Sequence, residues 1–479
     1  METPPLRLSM TLPGSASLGA FQAGAMAGVA VGVLALRRCG RSVHLDAVGG
    51  SSAGAIVSVL ATHALLSGRD APTLLRRAWV DEVDVGLLRS GGRHAPLGFD
   101  ELRSRFHDFL GDEDRHPRDV HEPLSSPVTM QIGLTGLLGL TTRVPTAGTE
   151  SSALSYADFA EFELTPGSPR DEILEPSGAS PLDAMIASAS HPGAFAPRVL
   201  DRSGRRGDYE ARGVTNFPAS GRLWYTDGGL VERQPIGRVL AAARRRSGNA
   251  EGTRLHVVVD PRGSGPSGDA EWRDVEDSKS WVAGVRRSLS VLPTQALHDD
   301  LRGVASVNRR LDAVRRLADD LGSTVADDHE RDELHRRLAE AADVTGKELV
   351  NVEMISPLLL ATDDRGVADL LAGDFIGAFG GFLSRRVRRS DYQLGWRAAS
   401  TWIPDALTRH GCRPDEIEHV HRAMTEYLDD ELDEVLVEAD GVDALSNRER
   451  LQLAALAAAT GYQLFREAVP TPSLPGRQS

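Results

Sequence analysis

The first apolar run, Leu6 to Leu12, has the length of a β-strand and stops at Pro13-Gly14. A loop, Gly14 to Gly19, follows, and a predicted helix then runs to Arg37-Arg38, whose charges suit a helix C-terminus, with Gly40 ending it. A second strand, Val43 to Val48, leads into Gly49-Gly50-Ser51-Ser52-Ala53-Gly54, and Ala55 to Leu66 reads again as a helix. The order strand, helix, strand, helix predicts a parallel α/β sheet with helices on both faces. Further strands are expected at Val128 to Leu134, Arg222 to Tyr225 and Leu255 to Val259, the last a β-branched run fit for a sheet centre. Arg89 to Pro96, Gly111 to Ser126 and Thr165 to Ser180 are polar and predict loops.

After Pro261 to Gly268 the pattern changes. Leu301, Val304, Val307, Leu311, Val314, Leu317 and Leu321 recur at a helical period, and similar patterns continue to about Phe465. The expected organisation is an α/β domain over 1–285, a mostly helical region over 286–468 and a disordered tail over 469–479.

Composition narrows the class. With 479 residues, 41% hydrophobic and 25% charged, the chain is ordinary globular material. A net charge of -14 argues against nucleic acid as a partner, which is bound by clustered Lys and Arg. Arg244-Arg245-Arg246 and Arg385 to Arg389 are local exceptions, readable as solvated turns or as patches for anionic headgroups. Cys39 and Cys412 fit neither a disulfide framework nor a zinc spacing. Leu18 to Leu36 is apolar enough to suggest a membrane span, yet its Ala, Gly and Gln22 and its place between two loops predict a buried helix. No secretory signal is evident at the N-terminus.

Gly50-Ser51-Ser52-Ala53-Gly54 fits G-x-S-x-G, the turn that presents a nucleophilic serine between a strand and a helix. The bare pattern arises often by chance, and its placement after an apolar strand and before an apolar helix gives it weight. The pattern centres on Ser52, with Ser51 as neighbour. For the base, Asp227 in Tyr225-Thr226-Asp227-Gly228-Gly229 stands at a strand end, where Gly228 and Gly229 free the backbone to turn. Such a carboxylate can accept the serine proton directly. His256 lies in an apolar run, His298 has no supporting pattern, and His191 belongs to a small-residue loop, Ala187 to Gly193. Amides of Gly14, Ser15 and Ala16 are placed to hold an oxyanion if the first two strands are neighbours. Gly14 and Gly19 also have nucleotide-loop spacing, but Ala20-Phe21 follow where a phosphate loop needs Lys and Ser or Thr.

Together the glycine-rich loop, G-x-S-x-G and D-G-G resemble the patatin-like phospholipases over roughly residues 6 to 240. Gly19 to Gly24 and Ala187 to Pro197 are similar to family blocks, and Phe379-Gly380-Gly381-Phe382-Leu383 with Asp391 to Gly395 resemble the C-terminal region of some bacterial members. The resemblance implies a three-layer α/β/α sandwich with a mostly parallel sheet and a C-terminal helical region. It implies a Ser52–Asp227 dyad that cleaves fatty-acyl esters of membrane phospholipid, with no metal or organic cofactor. It further implies a cytoplasmic protein with peripheral membrane contact. One departure stands out: the family loop carries Arg or Lys before its last glycine, and here Gly14-Ser15-Ala16-Ser17-Leu18-Gly19 has none. The alternatives are a carboxylesterase or thioesterase on small acyl groups, and a catalytically degenerate lipid-binding scaffold.

Overall fold

The computed structural model describes residues 4–89, 95–111, 122–146, 149–167, 169–175, 179–248, 253–262, 272, 280–322, 327–361, 370–375, 378–431 and 445–455. The tail expected over 469–479 lies outside them. The chain opens with β1 (Leu6–Leu12), α1 (Gly19–Arg38), β2 (Val43–Gly50) and α2 (Ala53–Ser67), as the pattern predicts. Short helices α3 (Ala71–Arg76) and α4 (Asp100–Gly111) lead to a long hairpin, β3 (Val128–Thr146) and β4 (Thr149–Leu164). Then come α5 (Pro169–Leu174), α6 (Pro181–Ser188), β5 (Arg198–Asp201), α7 (Arg206–Ala211), β6 (Arg222–Thr226), α8 (Ile236–Ser247) and β7 (Thr253–Val259). The last part holds α9 (Trp281–Gly322), α10 (Asp328–Ala341), β8 (Asn351–Ile355), α11 (Arg385–Arg409) and α12 (Pro414–Glu431).

One sheet runs in the order β5-β6-β3-β2-β1-β7-β8, with β4 paired to β3 off this path. The five strands from β3 to β8 are parallel, and β4, β5 and β6 join antiparallel. Alternate side chains of β7 show the layering: Val257 and Val259 enter the main core, whereas Val258 packs with Ile236 of α8 and Leu301 and Val304 of α9. Helices therefore cover both faces, which makes a three-layer α/β/α architecture with a helical C-terminal part.

The apolar helix α1 is the centre of the second layer. Ala16 to Arg38 is long and apolar enough by length and composition to cross a bilayer, but 94% of its most hydrophobic window is buried inside the structure. Gly24, Gly28 and Gly32 form one face against α11. A Cβ at Gly24 would overlap the Tyr392 carbonyl, and one at Gly395 of α11 would overlap the Phe21 carbonyl. The two backbones touch, so burial of α1 depends on glycine at both crossing points.

The region after residue 286 is knitted into this arrangement. β8 extends the sheet beside β7, and α11 covers α1. The basic run at its start is partly taken up inside the protein. Arg388 is buried and donates to the carbonyls of Val80, Gly381 and Phe382, while Arg385 pairs with Asp81. Arg245 and Arg246 of α8 pair with Glu161 and Glu163 of β4.

The segment Thr165 to Ser180, expected as a loop, contains α5, and Ser180 caps α6 through a capping box with Asp183. The hairpin beyond Leu134 carries no strand-like alternation: Leu154 and Tyr156 are exposed, and the pairing register shifts between Thr135 and Leu140.

Gly24→Ala and Gly395→Ala are each expected to cost about 3 kcal/mol or more, because overpacking against backbone outweighs the roughly 1 kcal/mol of helix propensity gained. Gly28→Ala should cost less, since its added methyl meets the side chains of Ala399 and Met424. Denaturant midpoints at constant m-value measure both.

Candidate active site

Ser52 follows β2 and caps the N-terminus of α2, at φ 52° and ψ -125°. A non-glycine residue enters that region only under strain imposed by its surroundings. Here the surroundings are backbone. A Cβ on Gly50 would overlap Gly54, and one on Gly54 would overlap the Leu12 carbonyl, so strand, turn and helix close up only with glycine at both places. The Ser52 amide donates to Ser188 Oγ at 2.8 Å, and that hydroxyl donates onward to the Gly133 carbonyl at 2.6 Å. Ser51 points elsewhere, its hydroxyl donating to the Glu232 carbonyl at 2.9 Å.

Asp227 follows β6, and the structure brings it directly to Ser52. Ser52 Oγ donates to Asp227 Oδ2 at 2.7 Å, and the Gly229 amide donates to Oδ1 at 2.7 Å. Both residues are buried, with 7% of Ser52 and 4% of Asp227 exposed. Gly228 is required by contact, since a Cβ there would overlap the Gly133 carbonyl. The Ser190 carbonyl accepts from the Asp227 amide and the Thr226 hydroxyl, so the stretch after α6 braces both members of the pair. Burial pushes the Asp227 carboxyl above its usual range, against the opposing pull of the Ser52 hydrogen bond, the His191 charge, the Gly229 amide and Arg233. Such a carboxylate is a stronger base than an exposed aspartate.

The loop after β1 lies against the same serine. Gly14 sits where an added Cβ would come to 3.3 Å from Ser52 Cβ. Ser15 donates to Gln22 Oε1, and Gln22 in turn donates to the carbonyls of Pro13 and Val259, tying the loop to α1 and β7. Ala16 holds a left-handed φ of 47°. Ser17 clasps the C-terminal region: its amide and hydroxyl both donate to the Ala378 carbonyl, and its Oγ accepts from the Gly381 amide. Among the described residues the amides of Ser15 and Ala16 have no protein acceptor. A buried serine beside an ionisable carboxylate and open amides has the parts needed for acyl transfer.

Two contributors were not legible in the sequence. Ser188 lies in a small-residue stretch whose composition hints at close packing but not at this hydrogen bond. Arg233, six residues after Asp227, is 4% exposed and donates from Nε to the Gly14 carbonyl at 3.0 Å. No local pattern marks it.

Among the described residues no histidine hydrogen-bonds to Ser52 or Asp227. His256 is buried between Ser9 Oγ and Thr11 Oγ1, and burial lowers its pKa to about 3. His298 lies on α9 beside Asp299. His191 packs edge-on against Phe379 with ring centroids 5.4 Å apart. Among the described residues no group of three or more His, Cys, Asp and Glu gathers as a metal site would require.

Residues 10–240 match the patatin-like phospholipase family. Over 302 residues the chain is 27% identical to the uncharacterized membrane protein Rv3479 of Mycobacterium tuberculosis, covering 58% of this chain and 27% of that protein. The chain thus spans about a quarter of that relative's length. VipD from Legionella pneumophila aligns over 97% of this chain and 86% of its own, at 10% identity and a TM-score of 0.25. Residues 10–240 therefore form a patatin-like phospholipase domain.

Proposed function

We propose that the chain is a lipid acyl hydrolase in which Ser52 is the nucleophile and Asp227 the base. The observation that carries this reading is the 2.7 Å hydrogen bond from Ser52 Oγ to a buried Asp227 carboxylate, made from a strained strand-to-helix turn. A non-glycine residue held in a sparsely populated backbone region supports a functional reading of its position.

In the proposed reaction Ser52 Oγ attacks the ester carbonyl carbon while its proton passes to Asp227. The carbonyl oxygen becomes an oxyanion, received by the amides of Ser15 and Ala16. Collapse breaks the bond to the alcohol, which leaves with the proton from Asp227, and an acyl-Ser52 ester remains. Asp227 then takes a proton from water as it attacks, and a second collapse frees the fatty acid and returns that proton to Ser52. The glycine neighbours Gly14, Gly50, Gly54, Gly228 and Gly229 serve this chemistry by letting backbones approach.

A fatty-acyl ester of a glycerophospholipid is the substrate class we favour. Leu230 and Val231, directly after the D-G-G turn, are 51% and 47% exposed, and Trp224 on β6 is 55% exposed. Apolar side chains displayed beside the pair suit transient contact with a bilayer surface. We further propose the catalytic unit to extend over 1–285, with the helical region over 286–468 as its companion.

Ser52→Ala and Asp227→Asn are each expected to cut free fatty acid release from phospholipid vesicles roughly ten-thousand-fold or more. Release by either variant near the wild-type rate would refute the dyad. Fluorophosphonate labelling confined to Ser52 separates a working enzyme from a lipid-binding scaffold, and the ratio of long-chain to short-chain ester turnover separates a lipase from a small-ester hydrolase.

Activity requires ionised Asp227, so kcat/KM should rise with pH through a pKa above the usual aspartate value of about 3.9. The same upward shift has a stability consequence. A carboxyl whose folded pKa exceeds its unfolded one loses stability as pH rises between the two values. Asp227→Asn cannot ionise and escapes that loss. It should therefore unfold at a higher temperature than wild type at neutral pH, with the gap closing at a pH below both values; calorimetry across pH measures it.

A further inference from the structure

We propose that Arg233 is the positioning cation of the oxyanion loop, supplied from the D-G-G side in place of the basic residue that Gly14 to Gly19 lacks. This rests on the hydrolase reading above and adds a residue to it.

The contact is specific. Arg233 Nε donates to the Gly14 carbonyl at 3.0 Å, while Nη2 lies 3.5 Å from Asp260 Oδ1. Asp260, directly after β7, is itself fixed by Gln234 Nε2 at 2.7 Å and by the Arg262 amide at 2.9 Å. The guanidinium therefore links three chain segments at the site: the loop after β1, the turn after β6 and the end of β7. Gly229 lies between them, with an added Cβ falling 3.0 Å from Asp227 Oδ1, 3.7 Å from Gly14 Cα and 4.0 Å from Arg233 Cγ.

Two physical effects follow from a cation on that carbonyl. A trans peptide is planar, with its C=O and N–H pointing in opposite directions, so holding the Gly14 oxygen fixes the direction of the Ser15 N–H. A charged donor on the oxygen also polarises the peptide and strengthens that N–H as a donor, most of all in a buried setting. Arg233 thus acts on the oxyanion through the peptide it grips and is a positioning residue.

The charge arithmetic agrees. Before attack the negative charge sits on Asp227; after proton transfer Asp227 is neutral and the charge is on the substrate oxygen. Total charge does not change, and a fixed cation held against both the loop and the D-G-G turn meets it at each stage. Burial of a guanidinium is expensive, and an apolar side chain of similar volume would fill the space at lower cost to the fold. Asp260 compensates part of that cost, and the grip of Nε on the Gly14 carbonyl gives the cation a role at the loop.

The test compares wild type with Arg233→Met and Arg233→Lys on a soluble short-chain ester, together with the rate of fluorophosphonate labelling of Ser52. Arg233→Met should lower kcat about a hundredfold with KM little changed, and labelling should slow in parallel. Arg233→Lys should recover part of the loss, and millimolar guanidinium should restore part of the activity of Arg233→Ala, which a filler role would not permit. A folded Arg233→Met with kcat within about twofold of wild type, or with its whole loss in KM, would overturn the proposal. Should Arg233→Met fail to fold, Arg233→Met with Asp260→Asn removes the unpaired buried charge and carries the same kcat readout. A wild type that neither turns over esters nor labels at Ser52 defeats the hydrolase reading itself, and an active wild type with an unaffected Arg233→Met defeats only this inference.

Discussion

Ser52 is held at a positive φ that costs about 1 to 3 kcal/mol for a residue with a side chain, and the surrounding backbone is built to hold it there. Gly54 lets α2 begin against the Leu12 carbonyl, and Gly50 lets the turn close on Gly54. Ser188 then takes the Ser52 amide, which a strained turn would otherwise leave buried and unpaired. The core strands β1 and β2 supply the rigidity, since their pairing carries Gly49 and Gly50 in register with Thr11 and Leu12. Replacing any of these glycines moves the serine and with it the hydrogen bond to Asp227.

Asp227 sets opposing effects against each other. Four groups around it favour the carboxylate, among them the Ser52 hydroxyl and the Gly229 amide, yet desolvation prevails and raises its pKa. That balance suits the role of base proposed for Asp227. A carboxylate fully satisfied by strong donors would be too weak a base, whereas one left without donors would stay protonated. Its strand is anchored independently: Tyr225, two residues earlier, donates to the buried Asp158 of β4, which also accepts from Tyr209. The position of the carboxylate therefore does not depend on its own ionisation.

Much of this was legible in the residues. The alternation of strand and helix from Leu6 to Leu66 reads correctly because each element is apolar, short and bounded by glycine or proline. Ser52 and Asp227 stand out since small residues flank them, and small residues in a fixed spacing are visible in a string of letters. The hairpin β3–β4 was half hidden because its far end projects apolar and polar side chains alike into solvent, so no face repeats. β8 was missed inside a helical stretch; it is five residues long and only its last is fully buried. Arg388 read as surface charge because its burial depends on the carbonyl of Val80, far away in the chain, together with those of Gly381 and Phe382 just before its own helix. Arg233 was invisible because the carbonyl it grips, Gly14, lies on a loop far away in the chain.

The loop after β1 shows how the two parts of the chain depend on each other. Ala16 takes a left-handed conformation that glycine adopts without penalty and alanine does not. The compensation lies elsewhere in the chain. Ser17, the next residue, is gripped by Ala378 and Gly381, and Gly381 is itself fixed by a Cβ position that would crowd Ser17 and by a carbonyl that accepts from buried Arg388. Ala378 is likewise at a positive φ, of 68°. On the other side Gln22 and Arg233 hold Pro13 and Gly14. A glycine-rich loop reaches its shape by freedom, and this one reaches it by attachment. The segment just before α11 is thus part of the loop's mechanical frame, which gives the helical region a reason to pack on α1 beyond covering its apolar face.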